Sequence, residues 1–106
     1  MQPHLKSLQK ELNDNAAQLL DVRELDEWDA GHLRDARLVP LSQLRRGDYP
    51  ADLDKSAKTY LHCRSGNRVR IAAPLLEKLG FERLIPLSEG YKDLVGAGFE
   101  SSDNAS

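Results

Sequence analysis

The run His62-Cys63-Arg64-Ser65-Gly66-Asn67-Arg68-Val69-Arg70 places the chain's single cysteine directly before small and cationic residues. A lone cysteine forms no internal disulfide and no multi-thiolate metal site, which leaves packing, pairing between molecules, or nucleophilic chemistry. Free cysteines are among the most buried residue types, so packing is the bland alternative. A buried role does not require a strand to end and a polar loop to begin at the sulfur, as happens here. If the loop after Cys63 opens a helix near Asn67, the backbone N–H groups of residues 64–68 curl around the sulfur and form a cup that favours an anion. Arg64 and Arg68 add permanent positive charge, and Gly66 allows the tight turn. Such a cup makes thiolate the resting form of a cysteine at neutral pH and equips it as a nucleophile without a dedicated base.

The elements that must position this loop are legible as patterns. Lys58–Cys63, "KTYLHC", reads as a buried strand that delivers Cys63 to a strand-to-helix turn. Val69, Ala72, Leu76 and Leu79 share one face of the following helix, which Gly80 ends and Lys78 favours in its last turn. Pro74 falls on the same face as Asn67, Arg70 and Lys78, where water can satisfy the freed carbonyl, so a kink is expected rather than a break. Upstream, Leu5, Leu8 and Leu12 after Pro3 give an amphipathic helix over residues 3–13. Strands are expected at 18–22, 36–39 and 83–85, short helices at "ELDEWDAGHL", "PLSQL" and "SEGYKDLVGAGF", and a loop between Arg45 and Lys55. Strands alternating with helices call for an α/β domain with a mainly parallel sheet, whose ligands sit at the carboxyl ends of the strands, where Cys63 falls.

The 106 residues fit one domain, read as 1–106 with a core at about 18–99 and a flexible tail at 100–106. Fifteen basic and 17 acidic residues leave a net charge of −2, without the basic surplus that nucleic-acid backbones attract. No apolar run is long enough for a signal-peptide core or a membrane span, so a cytoplasmic protein with no nucleic-acid or membrane partner is expected.

Two stretches resemble the signatures of the rhodanese family. "LLDVRELDEWDAGHLRDARLVPL" (19–41) is similar to the first, an Asp-Val-Arg turn, a short helix and Gly-His before a second strand. "YLHCRSGNRVRIAAPLLEKLGFERLIPLSEGY" (60–91) resembles the active-site half. The resemblance implies a three-layer α/β domain with a central sheet of four to five strands, the fifth at the N-terminus. It also implies sulfur transfer: a cysteine thiolate takes the outer sulfur of a donor such as thiosulfate, becomes a persulfide, and passes the sulfur to cyanide or a thiol, with no metal or organic cofactor. On this chain Cys63 is then the nucleophile, Arg64, Ser65, Gly66, Asn67 and Arg68 the binding loop, and Arg68 the guanidinium that meets an anionic donor. Asp21 and Arg23 become structural supports at the pocket rim, and His32 a hydrogen-bonded structural residue. Glu89 before Gly90, Leu94 in place of a tryptophan, and Val69 in place of a hydroxyl residue depart from the family pattern.

Two rivals remain. Cysteine phosphatases require an arginine after Cys and five residues, and that position holds Val69, with Arg68 one place early and Arg70 one place late. Members of this fold also act as regulatory modules or as sulfur carriers that work with a relay protein. Of the other candidates, His62 should point away from Cys63 on the strand, His4 has no motif around it, and Trp28 and Tyr91 read as packing residues.

Overall fold

The computed structural model describes residues 1–102. Nine elements follow one another: α1 (Pro3–Asn13), β1 (Ala17–Asp21), α2 (Leu25–Ala30), β2 (Ala36–Leu38), α3 (Leu41–Leu44), β3 (Lys58–His62), α4 (Arg68–Lys78), β4 (Arg83–Pro86) and α5 (Tyr91–Gly96). The four strands form one all-parallel sheet in the order β2-β1-β3-β4. β1 and β3 are central and pair from Ala17↔Lys58 to Asp21↔His62, so the carboxyl ends of both come out side by side. That is the edge at which a doubly covered parallel sheet leaves room for a ligand.

Neighbouring side chains on a strand point to opposite faces, and the core divides accordingly. Leu20 and Leu61 face a cluster with Leu41 and Leu44 of α3 and Val69, Ala72 and Leu76 of α4. Leu19 and Tyr60 face the other, with Leu5 and Leu8 of α1 and Tyr91 and Leu94 of α5. The result is the expected helix–sheet–helix sandwich. Strand ends differ from the sequence reading by a residue or so: β1 and β3 each stop one residue earlier, and β4 includes Pro86, which an edge strand tolerates because its missing N–H faces no partner. α4 runs unbroken through Pro74, which is exposed on the expected outer face.

The sheet has the lower of the two expected strand numbers, and the expected helix over residues 3–13 is α1. One expectation is corrected. The segment 100–102 is not a loose tail: Leu33 and Ser101 form an antiparallel bridge, and the amides of Arg34 and Ser102 donate to the carbonyls of Glu100 and His32 at 2.9 Å. Residues 103–106 lie outside the described residues.

Candidate active site

Cys63 is the first residue past β3, and Arg68 opens α4, so residues 64–67 are the whole strand-to-helix connection. Such a short connection cannot run straight. Gly66 takes φ +90°, a left-handed conformation that costs a side-chain-bearing residue, and a Cβ there would stand 2.8 Å from the Ser88 carbonyl oxygen. The turn carries the Gly66 amide back over the thiol, where it donates to Cys63 Sγ at 3.1 Å. Among the described residues this is the one main-chain donor to the sulfur; the amides of Arg64, Ser65, Asn67 and Arg68 do not bond it. One amide of the expected cup, that of Gly66, bonds Sγ where the sequence suggested several. Cys63 belongs to the buried apolar cluster that includes Val22, Val39 and Val69, and is 1% exposed.

The loop is held from behind by the β4–α5 connection. The Tyr91 amide donates to the Cys63 carbonyl at 2.9 Å. Gly90 lies so close that a Cβ would sit 1.8 Å from the Arg64 carbonyl oxygen. Composition gives no hint of this constraint, since Gly90 has an ordinary φ of −87°. A glycine just before a helix facing the cysteine loop is the only trace in the sequence.

Arg68 is already matched by a carboxylate. Its guanidinium forms a two-pronged ion pair with Glu27 of α2, at 2.6 and 2.8 Å, a partner the sequence reading did not name. The Arg68 hydrogen bonds hold the Glu27 carboxyl down to a pKa of about 2, and Glu27 returns the effect by raising that of Arg68. Glu27 also accepts the Glu24 amide at 3.0 Å, the capping box at the start of α2. The pattern Glu-x-x-Glu after Asp-Val-Arg was the available signal for this residue, and sequence reasoning passed over it.

Asp21 and Arg23 are both buried, and Arg23 also lines the smaller cavity beside the loop. Arg23 is 4% exposed and Asp21 fully buried. Arg23 donates through Nε and Nη2 to the Asp21 carboxylate at 2.8–3.0 Å, and Nη2 donates to the Gly31 carbonyl at 2.8 Å. Its guanidinium stacks 4.3 Å from the Tyr91 ring centroid. A buried charge needs such pairing. His32 has the expected structural setting: its ring stacks on Trp28 at 3.7 Å, and Nδ1 lies 3.0 Å from the Trp28 carbonyl.

His62 does point away from Cys63, toward Tyr91 and Asp21, whose carboxylate lies 3.6 Å from Nε2. Burial lowers its pKa below 6.5, and the Asp21 charge opposes this without reversing it. The unfolded chain then takes up a proton that the folded one refuses, so this contribution to stability is complete above pH 6.5 and is lost as pH falls through that value toward the folded pKa. Urea unfolding between about pH 7.5 and 5 should show wild type losing stability on acidification more steeply than His62→Gln; parallel profiles would remove His62 from this role.

Two cavities flank the loop. One of about 380 Å³ is lined by Ser65, Gly66, Val69 and Arg70 with Pro86, Leu87 and Ser88. The other, of about 190 Å³, lies among Arg23, Glu27, Ala30, Arg64, Tyr91 and Lys92. Val69, in the position where a phosphatase loop needs arginine, is 1% exposed and packs into the core.

Comparison with known proteins agrees with this geometry. The family model described as a rhodanese-like domain matches residues 4–97. The Bacillus subtilis protein YrkF, described as a putative sulfur carrier, is 31% identical over 88 residues, which is 83% of this chain and 46% of that protein. A second B. subtilis protein, the uncharacterized YqhL, is 41% identical over 80 residues, 76% of this chain and 62% of its own length. The chain thus spans less than two thirds of either. The solved structure of the human single-domain sulfurtransferase TSTD1 superposes with a TM-score of 0.76 at 24% identity, covering 87% of this chain and 92% of that one, a likeness of fold. Among the described residues no helix is long and apolar enough to cross a membrane.

Proposed function

This chain belongs to the family of rhodanese-like domains, and from that premise we propose that it is a sulfurtransferase that moves a sulfane sulfur from a small anionic donor to a thiophilic acceptor through a persulfide on Cys63. The observation that carries the proposal is the Gly66 amide on Sγ at the head of a ring that closes into α4. With thiosulfate, the Cys63 thiolate attacks the outer sulfur, the donor S–S bond breaks, and its electron pair leaves with sulfite. The enzyme-bound product is a Cys63 persulfide anion. Its outer sulfur lies one bond beyond Sγ, where loop amides oriented at it would stabilise the negative charge. An acceptor thiolate or cyanide then attacks that outer sulfur, the Sγ–S bond breaks, and the Cys63 thiolate returns. Electrons balance over the cycle, and no metal or organic cofactor takes part. A reducing compartment such as the cytoplasm, rich in acceptor thiols, suits this cycle.

A second reading, a sulfur carrier that hands its cargo to a relay protein, draws support from the tight burial of Cys63 and from the description of YrkF. A phosphatase reading is disfavoured by the buried Val69. The discriminating experiment offers thiosulfate with cyanide in one arm and p-nitrophenyl phosphate in the other. Thiocyanate formation without nitrophenol release is expected; nitrophenol release without thiocyanate would overturn the assignment. Persulfide formation with no transfer to small acceptors would favour the carrier.

A further inference from the structure

Arg23, Arg64 and Lys92 line the smaller cavity beside the Cys63 loop, and Arg68 ends that loop, but these cations are not all available. Arg23 is neutralised by Asp21 and Arg68 by Glu27. Among the described residues Arg64 and Lys92, both exposed and both lining the smaller cavity, enter no ion pair. Glu27 is the one acid on that cavity wall. It is fixed there on three sides, by two Arg68 nitrogens and by the Glu24 amide. Its low pKa keeps it ionised throughout the physiological range. Arg68 stands at the end of the short connection that begins after Cys63, and Arg64 of the same connection lines the cavity with Glu27, so the pair borders the loop that carries the thiol.

We propose that Glu27 is a specificity-determining residue: its carboxylate, locked onto Arg68 at the edge of the Cys63 loop, withholds one positive charge from the site and disfavours compact dianions in favour of monoanionic organic sulfur donors such as thiosulfonates and persulfides. The donor class rests on the sulfur-transfer reading, whereas the charge filter does not. A dianion such as thiosulfate would draw twice the attraction from an unpaired Arg68 that a monoanion of similar size would, and the fixed Glu27 carboxylate cancels that gain; no side-chain motion in the pair restores it without breaking both Arg68 bonds. Removing either half of the ion pair should therefore act in opposite directions. Glu27→Gln frees Arg68 and makes the site more cationic, while the glutamine carbonyl still accepts the Glu24 amide, as a capping box allows. Arg68→Ala leaves the Glu27 charge uncompensated.

The test needs only the thiol. Rates of Cys63 alkylation are measured with iodoacetate, an anion, and iodoacetamide, its neutral analogue, in wild type, Glu27→Gln and Arg68→Ala. Taking the ratio of the two rates cancels changes in thiol reactivity and general accessibility. The iodoacetate-to-iodoacetamide ratio should rise about fivefold in Glu27→Gln and fall about fivefold in Arg68→Ala, with both effects shrinking at about 1 M salt. A purely structural pair would lower both rates together and leave the ratio alone. A ratio that does not move, that moves the same way in both variants, or a thiol inert to both reagents would overturn the proposal. In Glu27→Gln the preference for thiosulfate over benzenethiosulfonate, as a ratio of kcat/KM, should rise in the same sense; no rise would overturn the donor class. If alkylation follows the prediction and no donor loads Cys63 in any variant, the sulfur-transfer reading fails and the charge filter stands.

Discussion

Cys63→Ser and Cys63→Ala are each expected to reduce sulfur transfer about a thousandfold or more while leaving the fold in place. In the proposed cycle the sulfur forms and breaks both bonds, and among the described residues there is no second cysteine to replace it. The two variants fail for one chemical reason but differ structurally. Serine places a hydroxyl proton in the apolar cluster that includes Val22, Val39 and Val69, at a cost of about 1–3 kcal/mol. Alanine leaves a small void instead, and keeps the surroundings apolar. Thermal melts separate that loss of stability from the loss of chemistry. A folded variant of either kind that still forms thiocyanate at the wild-type rate would remove Cys63 from the mechanism.

Gly90→Ala is the second large effect, and it arises outside the loop. The added methyl carbon would stand 1.8 Å from the Arg64 carbonyl oxygen, 2.5 Å from its carbon and 3.0 Å from the Ser65 nitrogen. All three are main-chain atoms, so nothing can swing aside; either α5 or the cysteine loop must shift. The Tyr91 amide, bonded to the Cys63 carbonyl, ties the two together, so a shift in one drags the other. Forced overpacking of this kind costs about 1–3 kcal/mol or more. A displacement of about 1 Å at a reacting atom costs about a hundredfold in rate. Gly96→Ala is the control, since nothing lies within 4 Å of a Cβ there; it should be neutral or slightly stabilising. Gly90→Ala that melts with wild type and transfers sulfur within about twofold of it would show that the loop geometry does not govern the rate.

The layers of the fold were readable because each depends on local periodicity. Leu5, Leu8 and Leu12 mark α1, and Val69, Ala72 and Leu76 mark α4, by spacing alone. The boundary at Cys63 was equally visible, as an apolar strand meeting small and charged residues. What the pattern could not supply was pairing across distance. Arg68 reads as a free cation in a linear sequence, and its partner Glu27 stands 41 residues away on α2. Asp21 and Arg23 look like solvated charges at a strand end until α2 and α5 close over them, with the Gly31 carbonyl and the Tyr91 ring completing their surroundings. Gly90 is hidden for the same reason: the atom it must avoid belongs to Arg64, and only the docking of α5 brings them together. Charge and spacing located the chemistry; tertiary contacts decided which charges remain available to it.

The central claim is that a ring of main-chain amides beyond β3 makes an anionic, sulfur-loaded Cys63 stable enough to persist. Intact-mass measurement after incubation with thiosulfate tests this most directly. The account predicts a gain of one sulfur atom that maps to Cys63, disappears on treatment with excess thiol and is absent from Cys63→Ser. An unchanged mass in a folded protein whose thiol is still free would contradict it.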